Sequence, residues 1–388
     1  MGWAYAGRGS GPDAMRTNCR ADESIERVEI DGFAFPLGVY PIERITPRPG
    51  YSCGFEPADG SDEDDGAGGL SGEADVEAWP DRYVFDAVIP AGRVEPLVIQ
   101  LLGMMPLRVY PILDYMGHDA YREIDPYISY ELAGIDRVLD AVGRCRDFFF
   151  EDGTCAFGAL AEDPFFYVFL DEHKIVTVRA ASELAERVRR LLEAFDLEEI
   201  KEPAGADSAA HEHRAVLDSD PSDPERLSGE EIVELLRESW QLTLNVDPTA
   251  NTDDEGRELG LTPWRCVLRW QAEEPRDDAH TELLLVASCL AAAEELAFDA
   301  ALTLAEQRPD IDPETTETKL ISADRLSPEQ FKEAVERHRA AGAAAGRASR
   351  DPDGGGRGRA GAAGLPVRRG SPASLIRRGA GIVSAIWM

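Results

Sequence analysis

The chain has 388 residues and a formal net charge of −34, from 40 basic and 74 acidic side chains, and 43% of its residues are hydrophobic. This length and apolar content are sufficient for two domains with a buried core. The acidity argues against nucleic acid and anionic membrane surfaces as partners of the folded part, because both would repel it. Only four of the basic residues are lysines. Either a GC-rich genome or adaptation to high salt would explain that bias, and the sequence does not distinguish them.

The six cysteines form no CxxC pair, which favours reduced thiols in a cytoplasmic protein. The first residues lack the apolar stretch of a secretory signal, and no run of about 18 apolar residues occurs anywhere. We therefore expect a cytoplasmic location without a membrane span. The sequence carries no signal for an oligomeric state.

The first predicted elements precede a strongly acidic stretch. Residues 1–24 are expected to be disordered, and 28–45 to form a strand pair around an Asp31-Gly32 turn. The acidic, glycine-rich loop at 57–78 resembles a calcium loop only superficially, because Gly66 stands at position 5 rather than 6 and no helix precedes it. We interpret it as a solvated loop.

From residue 82 the pattern alternates regularly between strands and helices. Strands are predicted at 82–90, 107–115 and 154–160, with helices at 94–102 and 131–149. Next come a hairpin over 165–170 and 174–178 and a helix with Ser182 as N-cap. The paired phenylalanines at 148–150 and 165–166 are predicted to be core residues rather than a stacking platform.

A polar, proline-containing stretch at 201–227 is predicted to be an interdomain linker. It contains His211 and His213, whose spacing could suit a metal ion. A closed site needs further ligands, and none are close in the sequence, so we expect no metal there.

The second half begins with a capping box at Ser228 and Glu231, followed by a helix. The remaining expected elements are strands at 241–246, 264–270 and 318–323, an apolar strand-then-helix segment at 283–304, and a last helix capped by residues 327–330.

Residues 102–108 (LGMMPLR) recur as residues 259–265 (LGLTPWR), and a shorter match sets Lys174 against Lys319. We interpret these matches as a diverged tandem duplication with a cleft between two copies. Arg108, Arg265, Lys174 and Lys319 would then mark equivalent positions that bind an anionic ligand. The alternative is that they pair with local carboxylates, which are plentiful.

No sequence motif for catalysis is present: GxGxxG, GxxxxGK[ST], GxSxG and HExxH are all missing. His118 beside Asp119, and Cys155 on an inner strand, are the remaining candidates for acid–base or thiol chemistry. We expect no catalytic residues, no metal and no cofactor.

The tail at 340–388 differs in composition, with eight arginines against two aspartates and many glycines and alanines. It is predicted to be disordered. It could bind nucleic acid, fold back on the acidic body, or be unselected read-through of a GC-rich frame, and the acidity of the body favours the last two.

The predicted fold class is α+β, with two related α/β sandwich-like units. The expected domain boundaries are a disordered N-terminus at 1–24, a first unit at 25–200, a linker at 201–227, a second unit at 228–339 and a basic tail at 340–388. The function we expect is non-enzymatic binding of a protein or small-molecule ligand. The alternative is an enzyme with its site in the cleft between the units.

Overall fold

The computed structural model describes residues 19–58, 79–218, 226–253, 255–271, 279–305, 317–348 and 381–387. They form a mixed helix and sheet protein, which confirms the α+β class. The chain divides into two compact units, each described separately below. Unit 1 contains the described residues of Met1–Met116 and Asp125–Asn245, and unit 2 those of Gly117–Ile124 and Val246–Met388. None of the described helices has the length and apolarity needed to cross a membrane.

Unit 1 has thirteen strands and five α-helices in its described residues. The strands are β1 Glu29–Ile30, β2 Phe33–Ala34, β3 Val39–Pro41, β4 Gly50–Glu56, β5 Arg82–Val88, β6 Arg108–Tyr115, β7 Asp125–Ser129, β8 Ala133–Gly134, β9 Cys155–Glu162, β10 Phe165–Leu170, β11 Val176–Ala180, β12 His211–His213 and β13 Leu242–Leu244. The helices are α1 Ala91–Leu102, α2 Ile135–Arg144, α3 Arg146–Phe150, α4 Ser182–Ala194 and α5 Gly229–Trp240.

A large antiparallel sheet forms the centre of unit 1. Its described strands follow the order β13-β7-β6-β9-β10-β11-β5-β4, and β8 pairs with β6 beside this path. One face of the sheet packs against the helices, as the period-2 pattern of a half-buried strand predicts. Val168 of β10, Val178 of β11 and Phe85 of β5 all lie in that core, with Val138 and Val188 from the helices.

Aromatic side chains make up much of this core, as predicted for the paired phenylalanines. Phe148, Phe149 and Phe166 are fully buried. The ring of Phe149 stacks on Trp240, the last residue of α5, with ring centroids 6.0 Å apart. Each such ring removes a large apolar area from water, so α5 belongs to unit 1 by its packing.

The predicted linker at 201–227 is an ordered part of unit 1 as far as residue 218. Within it, β12 pairs with β3, Ala204 bridges to Arg48 and Leu217 bridges to Ala21. Backbone hydrogen bonds hold the segment together with the burial of Ala204, Ala206 and Val216, although its composition is largely polar. Residues 219–225 lie outside the described residues.

The unit boundary also differs from the predicted one at residue 228. The helix α5 and the strand β13 complete the sheet and core of unit 1, and the division falls between Asn245 and Val246. The reason is that Ile232, Leu236 and Trp240 are buried among the core residues of unit 1.

Unit 2 is smaller and carries a four-stranded antiparallel sheet in its described residues. Its elements are β14 Thr262–Gln271, β15 Ala279–Ala287, α6 Leu290–Ala305, β16 Glu317–Arg325, α7 Pro328–Ala348 and β17 Gly381–Trp387. The strand order is β16-β14-β15-β17. The helix cap predicted at residues 327–330 is present as a capping box, since the backbone N–H of Ser327 donates to Gln330 Oε1 and that of Gln330 donates to Ser327 Oγ.

A tandem duplication is not confirmed by these two sheets, because they differ in strand number and order. β11 pairs with both β10 and β5, whereas its proposed counterpart β16 pairs with β14 at an edge of its sheet.

Several predictions concern terminal and loop segments that lie partly or wholly outside the described residues. Residues 1–18, most of the acidic loop (59–78) and residues 349–380 lie outside them. The tail was predicted to be disordered from residue 340, but α7 continues to Ala348 and β17 pairs with β15.

Candidate metal centre

The turn between β10 and β11 positions His173. Asp171 organises this turn, since its backbone N–H donates to Ile175 O at 3.1 Å and its Oδ1 accepts the N–H of Ile175 at 2.7 Å. Lys174 adopts a left-handed conformation with φ of 64° and is 2% exposed. Its ammonium donates to the carbonyl of Cys155 at 2.6 Å, which satisfies the buried charge and fixes the turn against β9.

The short strand β12 supplies the other two histidines. His211 pairs with Pro41 of β3 and His213 with Val39, so the two residues occupy alternate positions on one strand. Alternate residues of a strand point to the same side, and both imidazoles therefore reach the same space. Glu212 between them points the other way, toward solvent, where its carboxylate pairs with Arg214.

The three imidazoles of His173, His211 and His213, which we call the histidine cluster, converge through their Nε2 atoms. The Nε2 of His211 lies 3.0 Å from that of His173 and 3.1 Å from that of His213. Their ring centroids form an almost equilateral triangle with sides of 4.7, 4.8 and 4.9 Å. The rings are inclined to one another by 72–81°, so they stand as a tripod rather than in one plane.

Each outward-facing nitrogen of the histidine cluster has its own acceptor. The Nδ1 of His211 lies 2.8 Å from Ala209 O, that of His213 lies 2.9 Å from Gly153 O, and that of His173 lies 3.3 Å from Asp171 Oδ2. Carbonyl and carboxylate oxygens only accept, so Nδ1 carries the hydrogen in each ring. In the neutral rings the Nε2 lone pairs therefore face one another, which is repulsive unless a proton or a metal ion lies between them.

Burial and neighbouring charges shift the pKa values of His173 and His213 in opposite directions. Burial lowers the pKa of His173, but the hydrogen bond and charge of Asp171, with Glu172 and Asp207, outweigh burial and raise it. The pKa of His213 is lowered by burial and by the two neighbouring imidazoles. Three close imidazoles cannot all carry a proton at low cost, whereas surrounding carboxylates favour one shared cation.

The spacing of the histidine cluster suits a tetrahedral zinc ion. Zn–N bonds of 2.0–2.1 Å at tetrahedral angles would set the ligand nitrogens about 3.3 Å apart, close to the two Nε2–Nε2 distances above. The Nδ1 contacts are those that orient imidazole ligands in metal sites, where a carbonyl or carboxylate accepts from the other ring nitrogen. The arrangement can therefore hold a divalent cation with little rearrangement.

The four basic residues predicted to bind an anionic ligand have separate local contacts. In unit 1, Arg108 is exposed and donates to Leu132 O at 2.6 Å, while Lys174 is buried against Cys155 as described above. In unit 2, Arg265 donates to Glu282 Oε2 at 3.0 Å, and Lys319 lies on the neighbouring strand β16 opposite Arg269. Arg108 begins its strand, whereas Arg265 is the fourth residue of its strand.

Asp119 and Cys155, two of the candidates for acid–base and thiol chemistry, make contacts that serve the fold. Asp119 is buried, and both of its oxygens lie 3.0 Å from the guanidinium Nε of Arg325. Cys155 is fully buried with its thiol against Phe148 O, and burial, partly opposed by the charge of Lys174, raises its pKa to about 12. A thiol protonated at neutral pH is a poor nucleophile.

The sequence predicts no further ligand close to His211 and His213, whereas the fold brings His173 beside them. The His-x-His spacing at 211–213 was a visible signal, but the third member lies in a turn that precedes β12 by 38 residues. Only the hairpin geometry and the β3–β12 pairing bring it close.

Comparisons with known proteins give no further guide. No model of a protein family matches the chain, and no significant match was found among the curated proteins or the solved structures.

Proposed function

We propose that this protein binds a divalent transition metal ion, zinc in the first instance, at the histidine cluster. The observation that carries the proposal is the convergence of three Nε2 atoms. In each of these rings the Nδ1 atom has a backbone carbonyl or a carboxylate as its acceptor. The proposal specifies a cation as the ligand of the expected non-enzymatic binding. It concerns binding and not catalysis.

Zinc is favoured over other divalent ions by ligand type and geometry. Imidazole suits zinc, copper and nickel, whereas magnesium and calcium prefer oxygen ligands. Copper(II) and nickel(II) favour square-planar arrangements, and the tripod of rings inclined by 72–81° departs from a plane. Zinc has no such preference and accepts tetrahedral sites.

A proton shared among the rings is the competing explanation of the short Nε2 contacts. One protonated imidazole could donate to a neighbour, and the cluster would then be a purely structural feature of unit 1. The two explanations differ in a measurable way, because only the first requires a stoichiometric metal ion.

The test uses the full chain, freed of metal with a chelator and titrated with Zn²⁺ by isothermal calorimetry. We expect one ion per chain, with excess Mg²⁺ unable to displace it. His213→Gln should weaken zinc binding by at least about 100-fold, because it removes one of three ligands while preserving size and polarity. His118→Gln, which changes an exposed histidine in unit 2, is the matched control and should bind zinc as the unmodified chain does.

Circular dichroism of each variant establishes whether the fold is retained. Equal zinc affinity in His213→Gln and the unmodified chain, or a stoichiometry well below one, would overturn the proposal.

A further inference from the structure

The ligand count of the histidine cluster has a consequence for what a bound ion can do. In the part of the chain that the structure describes, the convergent group has three members, and the carboxylates of Asp171 and Glu172 form a different group that shares only His173. Asp171 Oδ2 and Glu172 Oε1 lie 3.3 and 3.6 Å from His173 Nδ1, the nitrogen on the opposite side of the ring from the convergence point.

Zinc in proteins is almost always four-coordinate. Structural centres are closed by four protein ligands, whereas centres with three protein ligands keep the fourth position for water or another exchangeable ligand. In the described residues, three convergent imidazoles with the carboxylates of Asp171 and Glu172 on the far side of His173 therefore correspond to the second type.

The three rings are partly exposed to solvent. The side chain of His173 is 18% exposed, and those of His211 and His213 are also partly exposed. Three neutral imidazoles would leave the ion its full positive charge, which attracts hydroxide and small anions. The carboxylates of Asp171, Glu172 and Asp207 would repel larger or multiply charged anions.

We propose that an ion held by the histidine cluster keeps one exchangeable coordination position, and that this position takes water or a small monovalent anion. The inference rests on the proposed metal binding and adds the class of external ligand. The centre is thus open to a further ligand rather than a closed structural clamp.

Cobalt(II) is the probe, because it replaces zinc in tetrahedral sites and its visible spectrum reports the ligand set. The full chain is loaded with Co²⁺ and titrated with thiocyanate, while bound cobalt is quantified separately. We expect a saturable change in the visible bands at constant bound cobalt, with thiocyanate replacing water.

Glu172→Ala supplies the decisive comparison, since Glu172 Oε1 lies near the histidine cluster, 3.6 Å from His173 Nδ1. If the position is open, Glu172→Ala responds to thiocyanate as the unmodified chain does. If thiocyanate changes the cobalt spectrum of Glu172→Ala but not that of the unmodified chain, Glu172 closes the site. That result would overturn the inference.

A spectrum that thiocyanate leaves unchanged in both proteins, with cobalt bound, would also overturn the inference while leaving metal binding intact. Failure to bind Co²⁺ and Zn²⁺ at all would overturn the proposed function and this inference together.

Discussion

Asp171 performs two separate tasks at the residue scale. One carboxylate oxygen accepts the backbone N–H of Ile175 and holds the turn, while the other accepts from His173 Nδ1 and orients the ring. Its charge also raises the pKa of His173. Outer contacts of this kind tune a metal ligand without touching the ion.

We predict that Asp171→Asn weakens zinc binding by about 10- to 100-fold, the usual cost of losing such a partner. The pKa of His173 in the metal-free chain should fall toward its ordinary value, because a neutral amide no longer stabilises the imidazolium. Competition titration with a zinc dye measures the first effect and NMR titration the second. Glu212→Gln, on the solvent side of β12, is the control and should change neither; an Asp171→Asn variant with unchanged affinity would contradict the prediction.

A second titratable group, Glu282 in unit 2, lies in a buried ion-pair network. Its Oε1 lies 2.8 Å from His338 Nε2 and its Oε2 accepts from Arg265 Nε at 3.0 Å. Burial alone would raise its pKa, but the hydrogen bond from His338 and the charge and hydrogen bond of Arg265 lower it to about 2. A carboxyl with a depressed folded pKa stabilises the fold above its unfolded pKa and loses that contribution as the pH falls through the folded value.

We therefore predict that Glu282→Gln is less stable than the unmodified chain at neutral pH, and that the difference shrinks as the pH falls from about 4.5 to 2. Urea denaturation at several pH values measures it. Glu295→Gln, an exposed position on α6, should leave stability nearly unchanged throughout. A Glu282→Gln deficit that stays constant with pH would show that the ionised carboxylate is not responsible.

At the scale of elements, the histidine cluster depends on a close approach of three backbone segments. A Cβ on Gly38 would lie 2.0 Å from Gly153 N and 2.6 Å from Arg214 O. Arg214 N–H donates to Gly38 O at 2.8 Å, and Gly153 N–H donates to Arg214 O at 3.1 Å. Gly153 also supplies the carbonyl that orients His213, so the close approach of these segments positions a member of the histidine cluster.

We predict that Gly38→Ala separates these segments, lowers the free energy of unfolding by about 1–3 kcal/mol and weakens zinc binding. Chemical denaturation and calorimetric titration measure the two effects. Gly54→Ala is the matched control, because a Cβ at that position meets nothing within 4 Å. Full zinc affinity in Gly38→Ala would mean that the cluster tolerates movement of this backbone.

Local capping chemistry was only partly predictable from the sequence. Ser228 and Glu231 form the expected capping box at the start of α5. Ser182, expected to cap α4, is instead its first residue, and Ala181 occupies the N-cap without a side-chain bond. The hairpin residues pair with β5 and β9 before the helix begins, and this tertiary pairing decides where the chain turns.

Period-2 and helical patterns predict strands and helices where they record burial, but β4 and β7 were not predicted, and the helix expected at 131–149 is β8 followed by the two helices α2 and α3. The hairpin β10–β11 and the strand-then-helix segment β15–α6 lie where the apolar patterns placed them. The β12 segment was missed because its order comes from backbone pairing, which leaves no apolar pattern in the sequence. His211 and His213 were visible in the sequence, but the candidate site was missed because strand pairing, which the sequence does not show, brings them beside His173.

At the scale of the whole molecule, the two units have separate clusters of buried residues, with Leu284 and Leu326 in that of unit 2. A ligand that binds only the folded form stabilises what it binds, by about 2.7 kcal/mol at a free concentration 100 times Kd. The effect of zinc should therefore be confined to unit 1.

We predict that zinc slows amide hydrogen exchange most in residues 171–175 and 209–214, and leaves exchange in β14 and β15 unchanged. Mass spectrometry of peptides from the full chain, with and without the ion, measures this. The His213→Gln variant serves as the control and should show no zinc-dependent change in either unit. Equal slowing in both units would contradict the assignment of the ion to the histidine cluster.

The position of the three histidines along the chain has one more consequence. His173 and His211 are 38 residues apart, and the chain between them includes the whole of α4. An ion shared by both would be a reversible cross-link that closes this stretch into a ring, and by loop-closure entropy a ring of that size can stabilise the fold by up to about 4 kcal/mol. All six cysteines are free thiols. A chelator would then act on this chain as a reducing agent acts on a protein held by disulfides.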